Sequence, residues 1–211
     1  MSANQVEPVV KEYAEAAKVY DKKWSFYVNA TTLETMSRLP VARSDRVLDV
    51  GCGTGELLAR LAAKYPAAHL SGLDPVPEML EVAREKLSER VELRIGWANE
   101  LPWPEASFDL VVSCNMFHYI THPVAAVQEM ERVLRPGGRL VITDWCDDYL
   151  ACRVCNVYLR LTSKSHYKTY RQAECAALLK EAGHALAHIE RYKINWLWGL
   201  MTAIAEKPTL S

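Results

Sequence analysis

Asp49, Gly51, Gly53 and Gly55 stand at alternate positions within Arg46–Leu58 (RVLDVGCGTGELL), where an apolar run ends in an acid and passes into a helix-like pattern. This spacing predicts a strand, a tight turn and a helix start. Glycines let the backbone turn sharply and come close to a ligand without Cβ interference, and the helix that follows points unpaired N–H groups at the same space. The register separates the cofactor classes that use such a turn. A dinucleotide fingerprint needs glycine at position 56, where this chain has Glu56, and that carboxylate would sit badly beside a pyrophosphate at a helix N-terminus. No Gly-Lys-Ser/Thr follows, so the P-loop pattern fails as well.

A second acid, Asp74, ends the short run His69–Asp74 and lies 23 residues after Gly51. A doubly wound sheet places here the carboxylate that accepts hydrogen bonds from ribose hydroxyls. In isolation an Asp before Pro75 reads as a turn or cap residue; joined to the glycine loop it reads as a ribose ligand. His118 follows the apolar run Ser107–Cys114, at the end of a strand where ligands of open α/β sheets bind. It is a candidate substrate contact and a candidate general base, subject to reach of the substrate proton. Cys152 and Cys155 form one C-x-x-C, but no partner pair completes a zinc site, and no metal is expected.

These residues need a scaffold of alternating strands and helices. Apolar patterns predict strands over 46–50, 69–74, 91–95, 107–114 and 139–144, with helices over 55–65, 77–87 and 121–134 between them. Arg135–Gly138 reads as a turn, and a helix over 172–182 precedes two terminal strands over 185–192 and 196–206, with Trp196 and Trp198 as core residues of the last. Residues 8–39 read as helical, interrupted at Asp21 and by Trp24, Phe26 and Tyr27, with a second helix from about Thr32 to Leu39 stopped by Pro40. The segment from Trp145 to Tyr170 is an aromatic-rich insertion that could roof the site or pack as an amphipathic helix. Alternation of this kind implies a doubly wound α/β sheet.

The loop from Asp49 to Gly55 resembles motif I (D-x-G-x-G-x-G) of class I S-adenosyl-L-methionine (SAM) methyltransferases. Gly96–Trp103 (GWANELPW) resembles the same family's G-D-A-x-x-L-P-F stretch, and Glu131–Leu140 (ERVLRPGGRL) its R-V-L-K-P-G-G-x-L. The last resemblance points to the small-molecule, type 11 group that includes the quinone-biosynthetic C-methyltransferases. The likeness covers about residues 45 to 145 most closely. It implies a Rossmann-like, seven-stranded, mostly parallel sheet with an antiparallel C-terminal strand. A single domain over 1–211 is implied, with a helical lid (1–44), a cofactor core (45–145), a substrate-side insertion and helix (146–183) and terminal strands (184–211). SAM would be the cofactor and S-adenosyl-L-homocysteine the product.

By position in those motifs, Asp49, Gly51, Cys52, Gly53 and Gly55 would hold the methionine end of SAM, Asp74 and Pro75 the ribose, and Met79, Trp97, Ala98 and Asn99 the adenine. Trp97 stands where the family usually has an aspartate. Cys114 and Asn115 would border the cofactor, and Tyr20 or Tyr27 would face it from the lid, or else serve as packing. Substrate groups would come from His118, Asp144, Trp145, Tyr149 and Tyr167.

Composition narrows the partners. Net charge is −1, with 25 basic and 26 acidic residues, half the residues are hydrophobic, and no long block of like charge suggests a nucleic-acid groove or an anionic membrane surface. No apolar run approaches about 18 residues, and Met1–Pro8 lacks a signal-like pattern, so a cytoplasmic protein with a small-molecule substrate is expected. Oligomeric state stays open. Three other readings compete: a module that binds SAM without catalysis, a thiol-dependent metalloid methyltransferase using Cys146, Cys152 and Cys155, and a dehydrogenase, which Glu56 opposes.

Overall fold

The computed structural model describes residues 3–209, with side chains from Pro8 onward. In chain order the elements are α1 (Ala3–Lys23), α2 (Ser25–Arg38), β1 (Arg46–Val50), α3 (Glu56–Lys64), β2 (His69–Asp74), α4 (Pro77–Lys86), β3 (Glu92–Ile95), β4 (Phe108–Cys114), α5 (Pro123–Val133), β5 (Leu134–Trp145), α6 (Leu150–Thr162), α7 (Gln172–Glu181), β6 (Ala185–Lys193) and β7 (Gly199–Glu206). The strands form one seven-stranded sheet in the order β3-β2-β1-β4-β5-β7-β6. The pairs from β3 to β5 are parallel, while β7 runs antiparallel to both β5 and β6. The order reverses between β1 and β4, so the crevice at their carboxyl ends is the switch point where ligands of such sheets bind.

Central strands are apolar on both faces because helices cover both. Successive side chains of a strand point to opposite faces. Leu48 and Val50 join one core with Val111, Leu140 and Ile142, while Val47 joins another with Leu110, Val112 and Val141. The first core packs under α5 and α7, the second under α3 and α4.

Three expectations change. The Arg135–Gly138 segment is not a simple turn: it is already part of extended β5, whose pairing jumps from Phe108↔Leu134 to Leu110↔Arg139. The extra residues are taken up as a bulge, which leaves both flanks in register. Trp196 and Trp198 are not strand residues either, because β7 starts at Gly199, and Trp196 is 83% exposed in the loop between β6 and β7. Finally, α2 begins at Ser25, so Thr31, Thr32 and Thr35 are internal and buried rather than a cap and first turn. The Thr31 hydroxyl donates to the Tyr27 carbonyl (2.8 Å) and that of Thr35 to the Thr31 carbonyl (2.8 Å), which satisfies them inside the helix.

The N-terminal helices α1 and α2 are tied to the body. Ala17 packs with Val76 and Met79 at the start of α4. Asp21 accepts a hydrogen bond from Thr54 of the glycine loop (2.6 Å) and pairs with Lys86.

Candidate active site

The loop after β1 bends back over the end of β2. Asp74 organises it: one carboxylate oxygen accepts the Gly53 N–H (2.8 Å), the other the Val76 N–H (3.0 Å). Gly53 adopts φ +51°, and a Cβ there would project into open space, so this glycine leaves room for a ligand at a backbone shape that other residues rarely take. Gly55 differs. A Cβ on it would meet Leu87 and Ala83, so this glycine, expected at the cofactor, serves close packing of the loop on α4 and is not among the residues lining the cavity above the loop.

A cavity of about 150 Å³ lies over this loop. Of the residues expected to hold a cofactor, it is lined by Asp49, Gly51, Cys52, Gly53, Asp74, Pro75, Met79, Trp97, Ala98, Asn99, Cys114, Asn115 and Tyr20. Tyr27 is absent from its walls. Asp49 is buried, and its Oδ1 has no hydrogen-bond partner among the described residues. Burial, and then the neighbouring Asp74, push the Asp49 carboxyl up to about 8. Burial also raises Asp74 to about 6, against the two backbone N–H groups that lower it. An orphaned acid beside an open glycine cradle fits a ligand with a cationic end, as SAM has, and fits poorly with a phosphate.

A second cavity, about 440 Å³, lies beside the first. Tyr13, Tyr20, Asn115 and Tyr119 line both and so form the shared wall. Asn115, at the end of β4, takes the left-handed φ of 56°, which Asn tolerates better than most residues. It accepts the Tyr27 hydroxyl (2.8 Å) and donates to Thr31 (2.7 Å), locking α2 to the sheet. Tyr27 also accepts the Trp145 indole N–H. Tyr27, expected with Tyr20 to face the cofactor or to pack, is thus a wall of the second cavity, held there by Asn115, while Tyr20 lines both cavities.

His118 sits in the short 3-10 turn after β4, and Asp144 near the end of the adjacent β5. His118 Nδ1 lies 2.7 Å from Asp144 Oδ1, and the other oxygen of Asp144 accepts the His118 backbone N–H (2.9 Å). Both are buried. Trp145 stacks on the imidazole at 5.2 Å, and Trp198, Tyr27 and His166 complete an aromatic enclosure. Burial lowers His166 to about 4, so that ring is neutral near pH 7, and its Nε2 lies 2.9 Å from Asn156 Oδ1.

The substrate expectations divide. His118 and Trp145 line the second cavity, and Asp144 lies behind His118. Tyr149 and Tyr167 line neither cavity: Tyr149 packs over Gly199 beside Arg191 and Lys193, and Tyr167 lies toward solvent. Cys146, Cys152 and Cys155 line neither cavity as well, and Cys152 exchanges weak hydrogen bonds with Gly199. His166 comes from the Trp145–Tyr170 insertion that could roof the site, whereas Tyr13, Tyr119 and Trp198 were not expected there. Their signal was aromatic content alone, which does not distinguish a wall from a core.

Among protein families, a methyltransferase-domain model matches residues 47–138. An uncharacterised methyltransferase of Mycobacterium tuberculosis is 42% identical over 107 residues, covering 51% of this chain and 42% of its own length, so the chain matches less than half of that relative. A demethylmenaquinone methyltransferase of Listeria monocytogenes is 33% identical over 187 residues, covering 82% of this chain and 79% of the relative. Among solved structures, a Haloferax volcanii protein in complex with the Trm112 methyltransferase activator superposes with a TM-score of 0.83 at 21% identity, over 93% of this chain and 98% of that one, which establishes the shared fold. Loop, sheet order and relatives agree, and the chain belongs to the class I SAM-dependent methyltransferases, in the group that contains the demethylmenaquinone methyltransferases.

Proposed function

We propose that the chain transfers the methyl group of SAM to a small ring-bearing acceptor in the second cavity, with His118 as general base. The observation that carries this reading is the His118–Asp144 pair at the wall of an aromatic cavity that shares Tyr13, Tyr20, Asn115 and Tyr119 with the cofactor cavity. SAM, when bound, supplies a methyl group already activated on a sulfonium. The chain's work is then positioning, exclusion of water and proton removal.

Asp49 would hold the cationic amino-acid end of SAM, Asp74 the ribose hydroxyls, and Trp97, Ala98 and Asn99 the adenine side of the cavity. Tyr27, Trp145 and Trp198, with ring centroids 4.9–6.3 Å apart, would hold a planar acceptor by stacking and edge contacts. Asp144 accepts from Nδ1–H and so leaves the lone pair on Nε2 of His118. Nε2 would take the proton the acceptor gives up, from O–H, N–H or the methylated ring carbon, as the bond to methyl replaces the methyl–sulfur bond, and Asp144 would stabilise the resulting imidazolium. The name of the Listeria relative supports a ring acceptor of the demethylmenaquinone kind.

The test is calorimetric titration with SAM, followed by transfer of labelled methyl to a panel of phenolic, hydroquinone and aromatic amine acceptors. His118→Ala is expected to lower kcat by about 10²–10⁴-fold with SAM affinity unchanged. Turnover indifferent to that change refutes the base role. Tight SAM binding with no acceptor turned over would instead favour a non-catalytic module.

A further inference from the structure

α6 is an amphipathic helix placed the wrong way round for a core element. Its inward side carries Cys152 and Asn156, both buried, with Leu159 and Ser163 on the wall of the second cavity. Its outward side carries Leu150, Val154, Val157 and Leu161, at steps of four, three and four, with Tyr158 alongside. All five are exposed, Leu150 at 74% and Leu161 at 82%. A stripe of large apolar side chains along the solvent side of a helix marks a docking face.

The charge of the same segment says what it faces. Residues 149–173 carry Arg153, Arg160, Lys164, Lys168 and Arg171 and no acid, in a chain whose net charge is −1. The balance that argues against an anionic surface for the chain as a whole averages this segment away. Lys168 pairs with Glu174, and Arg171 lies near Asp147. Arg160 and Lys164 form no ion pair among the described residues, while the Arg153 guanidinium donates to the Asp147 carbonyl (3.3–3.4 Å); Arg153 and Arg160, seven apart, lie on one flank of the stripe, and exposed Lys164 follows just past the end of α6. At the N-terminal end of α6, Cys152 hydrogen-bonds Gly199 in both directions and so fixes the end of the loop that carries exposed Trp196, while Arg191 and Lys193 lie over Tyr149 beside the same helix end. Across the mouth of the second cavity from α6, Val19 and Trp24 are also exposed. Glu12 and Glu15 occupy the cavity rim on α1.

We propose that α6 and the Trp196 loop form a docking surface for an anionic lipid bilayer. An interfacial helix of this kind sinks its apolar face into the headgroup boundary, keeps its basic flank among the phosphates, and places Trp and Tyr at the interface. A second copy of the chain is a poorer occupant, because antiparallel two-fold pairing along the stripe sets the Arg153–Arg160 flank against itself, with no acid on 149–173 to offset it. In the docked orientation the mouth of the second cavity lies beside the bilayer, so an amphiphilic acceptor could enter without crossing water. That consequence rests on the proposed function; the docking itself does not.

The experiment is sedimentation of the full chain with vesicles of phosphatidylcholine alone and of phosphatidylcholine mixed with phosphatidylglycerol. Binding is expected to the anionic vesicles only, and to weaken at high salt. Val157→Glu with Leu161→Glu, and separately Arg160→Glu with Lys164→Glu, are each expected to reduce partitioning by about tenfold or more, without lowering Tm because all four side chains are exposed. Leu33→Glu, an exposed apolar site on α2, serves as the control and should leave partitioning unchanged. Failure to sediment with anionic vesicles overturns the proposal, as does sedimentation indifferent to both double variants. A dimer in sedimentation velocity that the stripe variant dissolves, without vesicle binding, would assign the face to a second copy and also overturn it. None of these readouts uses methyl transfer, so they fail or succeed separately from the catalytic reading.

Discussion

Asp49→Asn should stabilise the protein and weaken its grip on SAM, in the same variant. Asp49 is 2% exposed, one of its oxygens has no partner among the described residues, and its carboxyl is pushed up from 3.8 to about 8 by burial and by Asp74. The folded state therefore binds a proton more tightly than the unfolded chain between those two values, so this group adds stability as pH falls through that window and withdraws it as pH rises. At pH 7 the unfolded chain has long lost the proton that the fold retains. About three pH units at roughly 1.4 kcal/mol each place the penalty on the order of 4 kcal/mol. Asn carries no charge to neutralise, and even half of that gain would raise Tm by about 4–8 °C in a chain of this size.

Cofactor binding should move the other way. If the ionised carboxylate holds the cationic end of SAM, binding below pH 8 expels a proton, and affinity should rise up to about tenfold per pH unit toward 8. The α-amino group of SAM itself titrates near about 8, so the informative quantity is the difference between wild type and Asp49→Asn. The variant should show weaker binding with a flatter pH dependence below pH 7. Thermal melts from pH 5 to 9 and calorimetric Kd values over the same range measure both effects. A variant with unchanged Tm and a wild-type pH slope for SAM refutes the assignment of Asp49 as a ligand-poised acid.

Asp74→Ala should weaken SAM binding by about 1–3 kcal/mol and also lower Tm, because the Gly53 and Val76 N–H groups lose their acceptor; unchanged affinity in calorimetry contradicts the ribose role. Gly53→Val should all but abolish SAM binding while the fold persists, since the branched side chain fills the open cradle and the positive φ adds about 1–2 kcal/mol of strain; circular dichroism with calorimetry separates the two. Asp144→Asn should lower kcat more than KM, through loss of the partner that fixes the His118 tautomer, and a Tm change without a kcat change would reduce Asp144 to a structural role. Below about pH 6.5, burial of neutral His166, held near 4, should make stability fall as pH drops toward 4, and His166→Gln should flatten that limb of the melt profile.

The sheet and the cofactor end were legible because their signals are local. An apolar run, an acid and three glycines at fixed spacing force a strand, a turn and a helix start within a dozen residues, and Asp74 follows at the distance that a single βαβ unit dictates. The acceptor side was not legible, because no short stretch encodes it. Tyr27, one of two tyrosines that could face the cofactor or serve as packing, lines the second cavity: its place is set by Asn115, 88 residues away, and by Trp145, 118 residues away. Trp198 read as strand core and became a cavity wall for the same reason.

His118 shows where the division falls. Its position after a central strand marked it as a site residue, yet only the parallel pairing of β4 with β5 brings Asp144 to its ring and gives it a fixed tautomer. Likewise, the periodicity of 150–161 is written in the sequence, and a helix of that pattern would ordinarily bury its apolar stripe. Which side faces inward was settled by Cys152, Asn156 and the Gly199 contact in the folded chain. Short-range sterics and hydrophobic period wrote most of the elements and the glycine loop into the sequence. The second cavity, the His118–Asp144 pair and the exposed face exist only where segments distant in sequence meet, because their energies come from contacts that no local pattern contains.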